Sequence, residues 1–146
     1  MEKFIINNRS NLPKLLPYNS TGIELGVATG YFSEVLLQSE KFKILYSIDR
    51  WSDHHCINEY LNAAKRLSRY ASKNVVLRST FDESIKLFPE SFFHFIYVDA
   101  YAHNGQESGT ILDKWFPKLK KGGIFSGHDY EKAVEKYFSC GEQVCC

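Results

Sequence analysis

The sequence predicts a three-layer, doubly wound α/β fold built on a mostly parallel sheet. Short, near-continuous apolar runs recur along the chain, and segments whose apolar residues fall three or four apart lie between them. No internal repeat, low-complexity tract or Pro/Gly-rich linker breaks the alternation. Runs that are apolar throughout, rather than at every second residue, fit strands buried on both faces. Five such strands separated by helices imply parallel pairing through crossover connections. A length of 146 residues is enough to bury a core as one domain, residues 1–146.

In order, the first strand is GIELGV at 22–27, followed at once by a helix over 31–38. The second strand is KILYSID at 43–49; Ile57, Leu61, Ala64, Leu67 and Ala71 then form one helical stripe, with Ser52 or Asp53 available as its cap. NVVLRS at 74–79 is the third strand and leads into a short helix over 82–88. FHFIYVDA at 93–100 is the fourth; the helix after it, over 106–120, carries Ile111, Leu112, Trp115, Phe116 and Leu119 and is stopped by Gly122 and Gly123. GGIFSG at 122–127 is the fifth strand, and a last helix covers 130–138. The eight residues after Phe138 are too few for two more strands, so the expectation is a fold shortened at its C-terminus. An edge left open there invites pairing with a second copy of the chain.

Composition narrows the function classes. The chain is 44% hydrophobic and 15% aromatic, which argues for an ordered core, and its formal charge of +1 gives no electrostatic ground for nucleic acid as the main partner. The opening MEKFIINNRS lacks the apolar core of a secretory signal, and no apolar run approaches the ~20 residues that cross a bilayer. The expectation is a cytoplasmic protein without a membrane partner. Cys56, Cys140, Cys145 and Cys146 make no disulfide framework, and the tail CGEQVCC lacks a second cluster at zinc-site spacing. Lys65, Arg66, Arg69 and Lys73 fit a solvated helix face better than a nucleic-acid groove. The polar run Ser52-Asp53-His54-His55-Cys56 fits a helix start better than a metal cluster.

In doubly wound sheets ligands bind beyond the carboxyl ends of the strands, near the switch in strand order, so the residues after each strand carry the functional signal. The first strand ends in Glu24-Leu25-Gly26-Val27-Ala28-Thr29-Gly30, and a helix starts there with Tyr31 and Phe32. Glycines let the backbone approach a ligand closely, and a helix N-terminus offers unpaired N–H groups to a carboxylate or a phosphate. A dinucleotide fingerprint needs GxGxxG; only Gly26 and Gly30 are present, and Glu24 would repel a pyrophosphate. Asp49 ends the second strand, 25 residues after Glu24, where a carboxylate reaches two ribose hydroxyls. Trp51 or Arg50 is then placed to cover an adenine. The structural alternative is that Gly26 and Gly30 only permit a tight turn and Asp49 only caps a helix.

The ordered set ELGVATGYFSEVLL, SIDRW, LRSTFDESIKLF, FIYVDAYAH and WFPKLKKGGIFSGHDY resembles the class I S-adenosylmethionine-dependent methyltransferases. The likeness is greatest to a small bacterial and phage branch with Gly-His-Asp-Tyr after the fifth strand, and it runs from about residue 22 to 138. It implies a Rossmann-like methyltransferase fold with S-adenosylmethionine as cofactor. By this resemblance the ELGVATG turn, with Glu24, Gly26, Ala28 and Gly30, holds the methionine part and Asp49 the ribose, and Val27, Tyr31 and Phe32 are expected among the cofactor contacts. It also implies that Ser79 and Thr80 lie near the adenine and that Asp99 faces the methionine end and the acceptor; Arg50, Trp51 and Tyr101 complete the expected cofactor contacts.

Methyl transfer is an in-line displacement that depends on holding the acceptor close, with a base or a metal where the acceptor must lose a proton. Asp99, His103, His128 and Asp129 gather after the fourth and fifth strands, and Asp99, His128 and Asp129 are the expected catalytic groups. A divalent cation between Asp99 and Asp129 is the secondary reading, and a helix cap at Asp129 the structural one. The relatives run Asp-x-x-His-x-Tyr after strand four, whereas here the histidine comes one place later, at His103, and the tyrosine is missing. The expected reaction is methylation of a small-molecule hydroxyl or amine, and the competing expectation is a cofactor-binding module without turnover. No Asn-Pro-Pro-Tyr or Asp-Pro-Pro-Tyr motif points to nucleic-acid substrates.

Overall fold

The computed structural model describes residues 3–4, 8–53, 56–99, 110–127 and 143–145. Among these residues seven strands form one sheet: β1 (Lys3–Phe4), β2 (Ser20–Leu25), β3 (Phe42–Asp49), β4 (Asn74–Arg78), β5 (Phe93–Val98), β6 (Leu119–Gly127) and β7 (Gln143–Cys145). Their order is β1-β7-β6-β5-β2-β3-β4, and every neighbouring pair is parallel. The five expected strands are β2 to β6. Strand order turns back between β2 and β5, which pair with Leu25 opposite Val98, so the switch point lies just beyond those residues.

The two faces carry separate cores, as a sheet buried on both sides requires. On one face Leu12 and Leu16, from and just after a 3-10 helix over Arg9–Leu15, pack with Phe32, Leu36 and Leu37 of α1 (Tyr31–Gln38) and Ala63 and Leu67 of α2 (Ile57–Leu67). On the other, Phe88 follows α3 (Phe81–Ser84) and packs with Trp115 of α4 (Thr110–Trp115) over Ile23, Ile48, Phe93 and Ile96. Helices flank the sheet on both sides, in the three layers expected.

Four expectations are corrected. The stripe of α2 is Tyr60, Ala63 and Leu67, while Ile57 and Leu61 are exposed. Tyr60 packs on Trp51 with ring centroids 4.9 Å apart, and Ala63 sits where α2 comes closest to Gly30, which turns the helix away from the register of its aliphatic residues. Neither Ser52 nor Asp53 caps α2, because the helix starts later, with Cys56 at the cap position, and the Asp53 carboxylate pairs with Arg50. Gly122 and Gly123 lie inside β6 rather than ending a helix. A 3-10 turn at Phe116–Lys118, containing Pro117, closes α4, since proline cannot supply the next helical N–H. Finally, β7 pairs along β6 and β1 pairs along β7, so the edge expected to be open beside the fifth strand is filled. The helix expected over 130–138 lies outside the described residues.

Candidate functional site at the switch point

The turn after β2 is built by left-handed backbone. Gly26 has φ 95°, Ala28 49° and Gly30 76°, a region that glycine enters freely and other residues at a cost. Gly30 is also a contact point: a Cβ there would lie 3.2 Å from the Cα of Ala63. The Gly26 N–H donates to the Ile48 carbonyl at 2.9 Å, and the Gly30 N–H to the Val27 carbonyl at 2.9 Å, which leads the chain into α1.

Asp49 fixes this turn from β3. Its Oδ2 accepts the N–H groups of Val27 and Ala28, both at 2.9 Å, and its Oδ1 accepts the Trp51 N–H at 2.8 Å. A carboxylate offers about four acceptor positions, so three are taken and one, on Oδ1, is left. The Trp51 ring is buried and its Nε1–H donates to the Ala28 carbonyl at 2.7 Å. It therefore braces the turn from within. Arg50 is exposed and paired with Asp53.

Glu24 is fully buried beneath the turn and hydrogen-bonded to Ser33 Oγ of α1. A polar chain continues inward: Asn74 Nδ2 donates to Ser47 Oγ at 2.9 Å, and Ser47 Oγ donates to Ser33 Oγ at 3.2 Å. Burial pushes the Glu24 carboxyl up to about 8; the Ser33 bond opposes the shift, Asp99 adds to it, Arg9 opposes it and Asp49 adds. Glu24 consequently holds a proton at neutral pH.

Asp99 follows β5, and its N–H donates to the Leu25 carbonyl at 2.8 Å, which sets it beside Gly26. Its Oδ2 is paired with Arg9 Nη1 at 3.0 Å. The same Nη1 reaches the Tyr97 hydroxyl at 3.4 Å, and the guanidinium carbon lies 4.6 Å above the Phe32 ring. Phe32 is buried against Tyr97, with centroids 4.5 Å apart. Burial pushes the Tyr97 hydroxyl up to about 12. Tyr31, the first residue of α1, is exposed.

On the far side of Asp49, the Ser79 N–H donates to the Asp49 carbonyl at 3.0 Å, and Thr80 caps α3 through a capping box with Glu83. The structure thus brings the tips of β2, β3, β4 and β5 together, with Glu24, Asp49, Ser79, Thr80 and Asp99 on them. Tyr101, His103, His128 and Asp129 lie outside the described residues, as do His54 and His55. Among the described residues no group of three or more His, Cys, Asp or Glu side chains is placed to hold a metal ion.

Arg9 has no local sequence signal as a site residue, because it stands 90 positions from Asp99 in a segment without a motif. The serine–asparagine chain behind Glu24 left one trace, the polar Ser47 inside the apolar run KILYSID.

A protein-family model described as a methyltransferase domain matches residues 21–130, about three quarters of the chain. The chain belongs to this methyltransferase family. No curated protein matches it. Solved structures resemble this methyltransferase domain in fold. Precorrin-6y C5,15-methyltransferase from Geobacter metallireducens has a TM-score of 0.61 at 13% identity, over 80% of this chain and 57% of that one. An S-adenosylmethionine-dependent methyltransferase from Mesorhizobium loti has a TM-score of 0.55 at 19% identity, over 82% and 53%. A Streptococcus mutans protein described as a methyltransferase, solved in complex with S-adenosylhomocysteine, has 0.56 at 16%, over 77% and 64%. The methyltransferase domain spans about half the length of the structures it resembles. No helix among the described residues is long and apolar enough to cross a membrane.

Proposed function

We propose that residues 1–146 act as one S-adenosylmethionine-dependent methyltransferase domain, working in the cytoplasm on a small-molecule hydroxyl or amine. One observation carries this reading: three acidic side chains, Glu24, Asp49 and Asp99, stand on the tips of three adjacent strands around a glycine turn. The carboxylates of Asp49 and Asp99, over a Glu24 kept neutral by burial, favour a ligand with cationic ammonium and sulfonium groups over a pyrophosphate. The donor set fits that cofactor. Asp49 retains an acceptor position for a ribose hydroxyl, the start of α1 suits an amino-acid carboxylate, and Ser79 and Thr80 lie next to Asp49 for the base.

Bound there, held by Asp49, the start of α1 and Asp99, S-adenosylmethionine would supply an activated methyl group for in-line displacement. The chain's own part is to hold the acceptor in line and to take its proton. We assign the proton to His128 and Asp129, and to Asp99 the holding of the methionine end beside the acceptor. A divalent cation is not part of the proposal. With β6 covered, a homodimer built on a sheet edge would use β1 or β4.

Calorimetry with S-adenosylmethionine, S-adenosylhomocysteine and NAD in parallel tests the cofactor. Binding of the first two and not the third is expected, and preference for NAD would overturn the reading. Labelled cofactor incubated with a metabolite panel then tests turnover. Binding without transfer to any acceptor would favour the module that holds the cofactor and does no chemistry.

A further inference from the structure

We propose that Arg9 and Asp99 form a preassembled receptor for the zwitterionic end of the cofactor, Arg9 taking its carboxylate and Asp99 its ammonium. This rests on the cofactor reading above and adds a residue to it from the N-terminal 3-10 helix, outside the family match over 21–130.

The pair sits over the turn. Asp99 is tied to the end of β2 through Leu25, and Arg9 lies on Phe32, the second residue of α1. The guanidinium charge therefore adds to the partial positive charge at the start of that helix, and the two together favour an anion. Arg9 is positioned independently of Asp99, through the Phe32 ring below it and the Tyr97 hydroxyl beside it, so it can release Asp99 without losing its seat. Both described hydrogen bonds run through Nη1, while a guanidinium presents five N–H donors in a fork that fits a carboxylate.

Charge balance makes the exchange feasible. An α-amino-acid group carries one positive and one negative charge, so entering between Arg9 and Asp99 it replaces one ion pair with two. Neither side chain is left uncompensated. The Arg9–Asp99 pair is part-exposed, at 41% and 29% of the side-chain surface, so parting it costs little. A ligand lacking the amino-acid group gains nothing from Arg9.

The test uses three probes on the full chain: S-adenosylhomocysteine, its decarboxylated analogue and methylthioadenosine, which lacks the whole amino-acid group. Arg9→Gln is expected to weaken S-adenosylhomocysteine about tenfold or more. Methylthioadenosine should bind as before, and the decarboxylated analogue no more weakly than before, because Asp99 is then free for its ammonium. Arg9→Lys, which keeps the charge and loses the fork, should fall between. Equal weakening of all three probes would show that Arg9 only supports the fold and would overturn the proposal. Unchanged or tighter binding of S-adenosylhomocysteine would overturn it too. If the wild-type chain binds none of the three, the cofactor reading fails along with this one, and that result is distinct from selective insensitivity to Arg9.

Discussion

One oxygen of Asp49 holds two consecutive backbone amides, those of Val27 and Ala28, each at 2.9 Å. The residue that the family resemblance assigns to a ribose is thus also the clasp that shapes the turn between β2 and α1. Structure and binding are joined in one side chain.

Asp49→Ala should therefore lower stability as well as affinity. Three N–H groups lose a charged acceptor, which costs on the order of 3 kcal/mol when such donors stay buried. Urea unfolding and S-adenosylhomocysteine titration of the same variant should both shift. A full loss of binding with an unchanged unfolding midpoint would show that the turn holds without Asp49.

Glu24 should make the protein less stable as pH rises. Its carboxyl goes from an ordinary value of 4.5 to about 8 on folding, so between those values the native state holds a proton that the unfolded chain has lost. Its contribution is complete below pH 4.5 and disappears as pH climbs through 8. Glu24→Gln keeps a neutral amide in the same space and should lose less stability than wild type between pH 6 and 9, by a few kcal/mol on the scale of 1.36 kcal/mol per pH unit. Parallel unfolding curves across that range would contradict the burial of an ionisable group here.

His94 should give the opposite slope at lower pH. Its Nδ1 accepts the Thr21 N–H at 3.0 Å, and its Nε2 lies 3.3 Å from Lys120 Nζ. Burial and the Lys120 charge hold its pKa below 6.5, so the unfolded chain takes the proton first and stability falls as pH drops through 6.5. His94→Asn retains an acceptor and removes the titration. Its unfolding midpoint should change less than wild type between pH 7 and 5; an equal fall in both proteins would rule out His94 as the source.

The strands were legible because burial on both faces leaves a direct trace: Ile23, Leu25, Ile48, Phe95 and Ile96 are apolar whichever way they point. Short edge strands leave none, and β1 and β7, two and three residues long, went unforeseen. Helix faces leave a weaker trace. In α2 hydrophobicity favoured Ile57 and Leu61, but the close approach of Ala63 to Gly30 and the seat of Tyr60 on Trp51 decided the rotation.

For the site, local motifs pointed to Glu24, Gly26, Gly30, Asp49 and Asp99, which stand together on adjoining strand tips. Contacts made across the fold were not legible. The Trp51 ring turned inward because its indole N–H meets the Ala28 carbonyl, and Arg9 reached Asp99 from the far end of the chain.

The most direct measurement is a crystal structure of the chain grown with S-adenosylhomocysteine. Density should run from the Gly26–Gly30 turn to Ser79, with a ribose hydroxyl on Asp49 Oδ1 and the amino-acid end between Arg9 and Asp99. A crevice closed by side chains, with the ligand elsewhere or absent at saturating concentration, would contradict the assignment of this site.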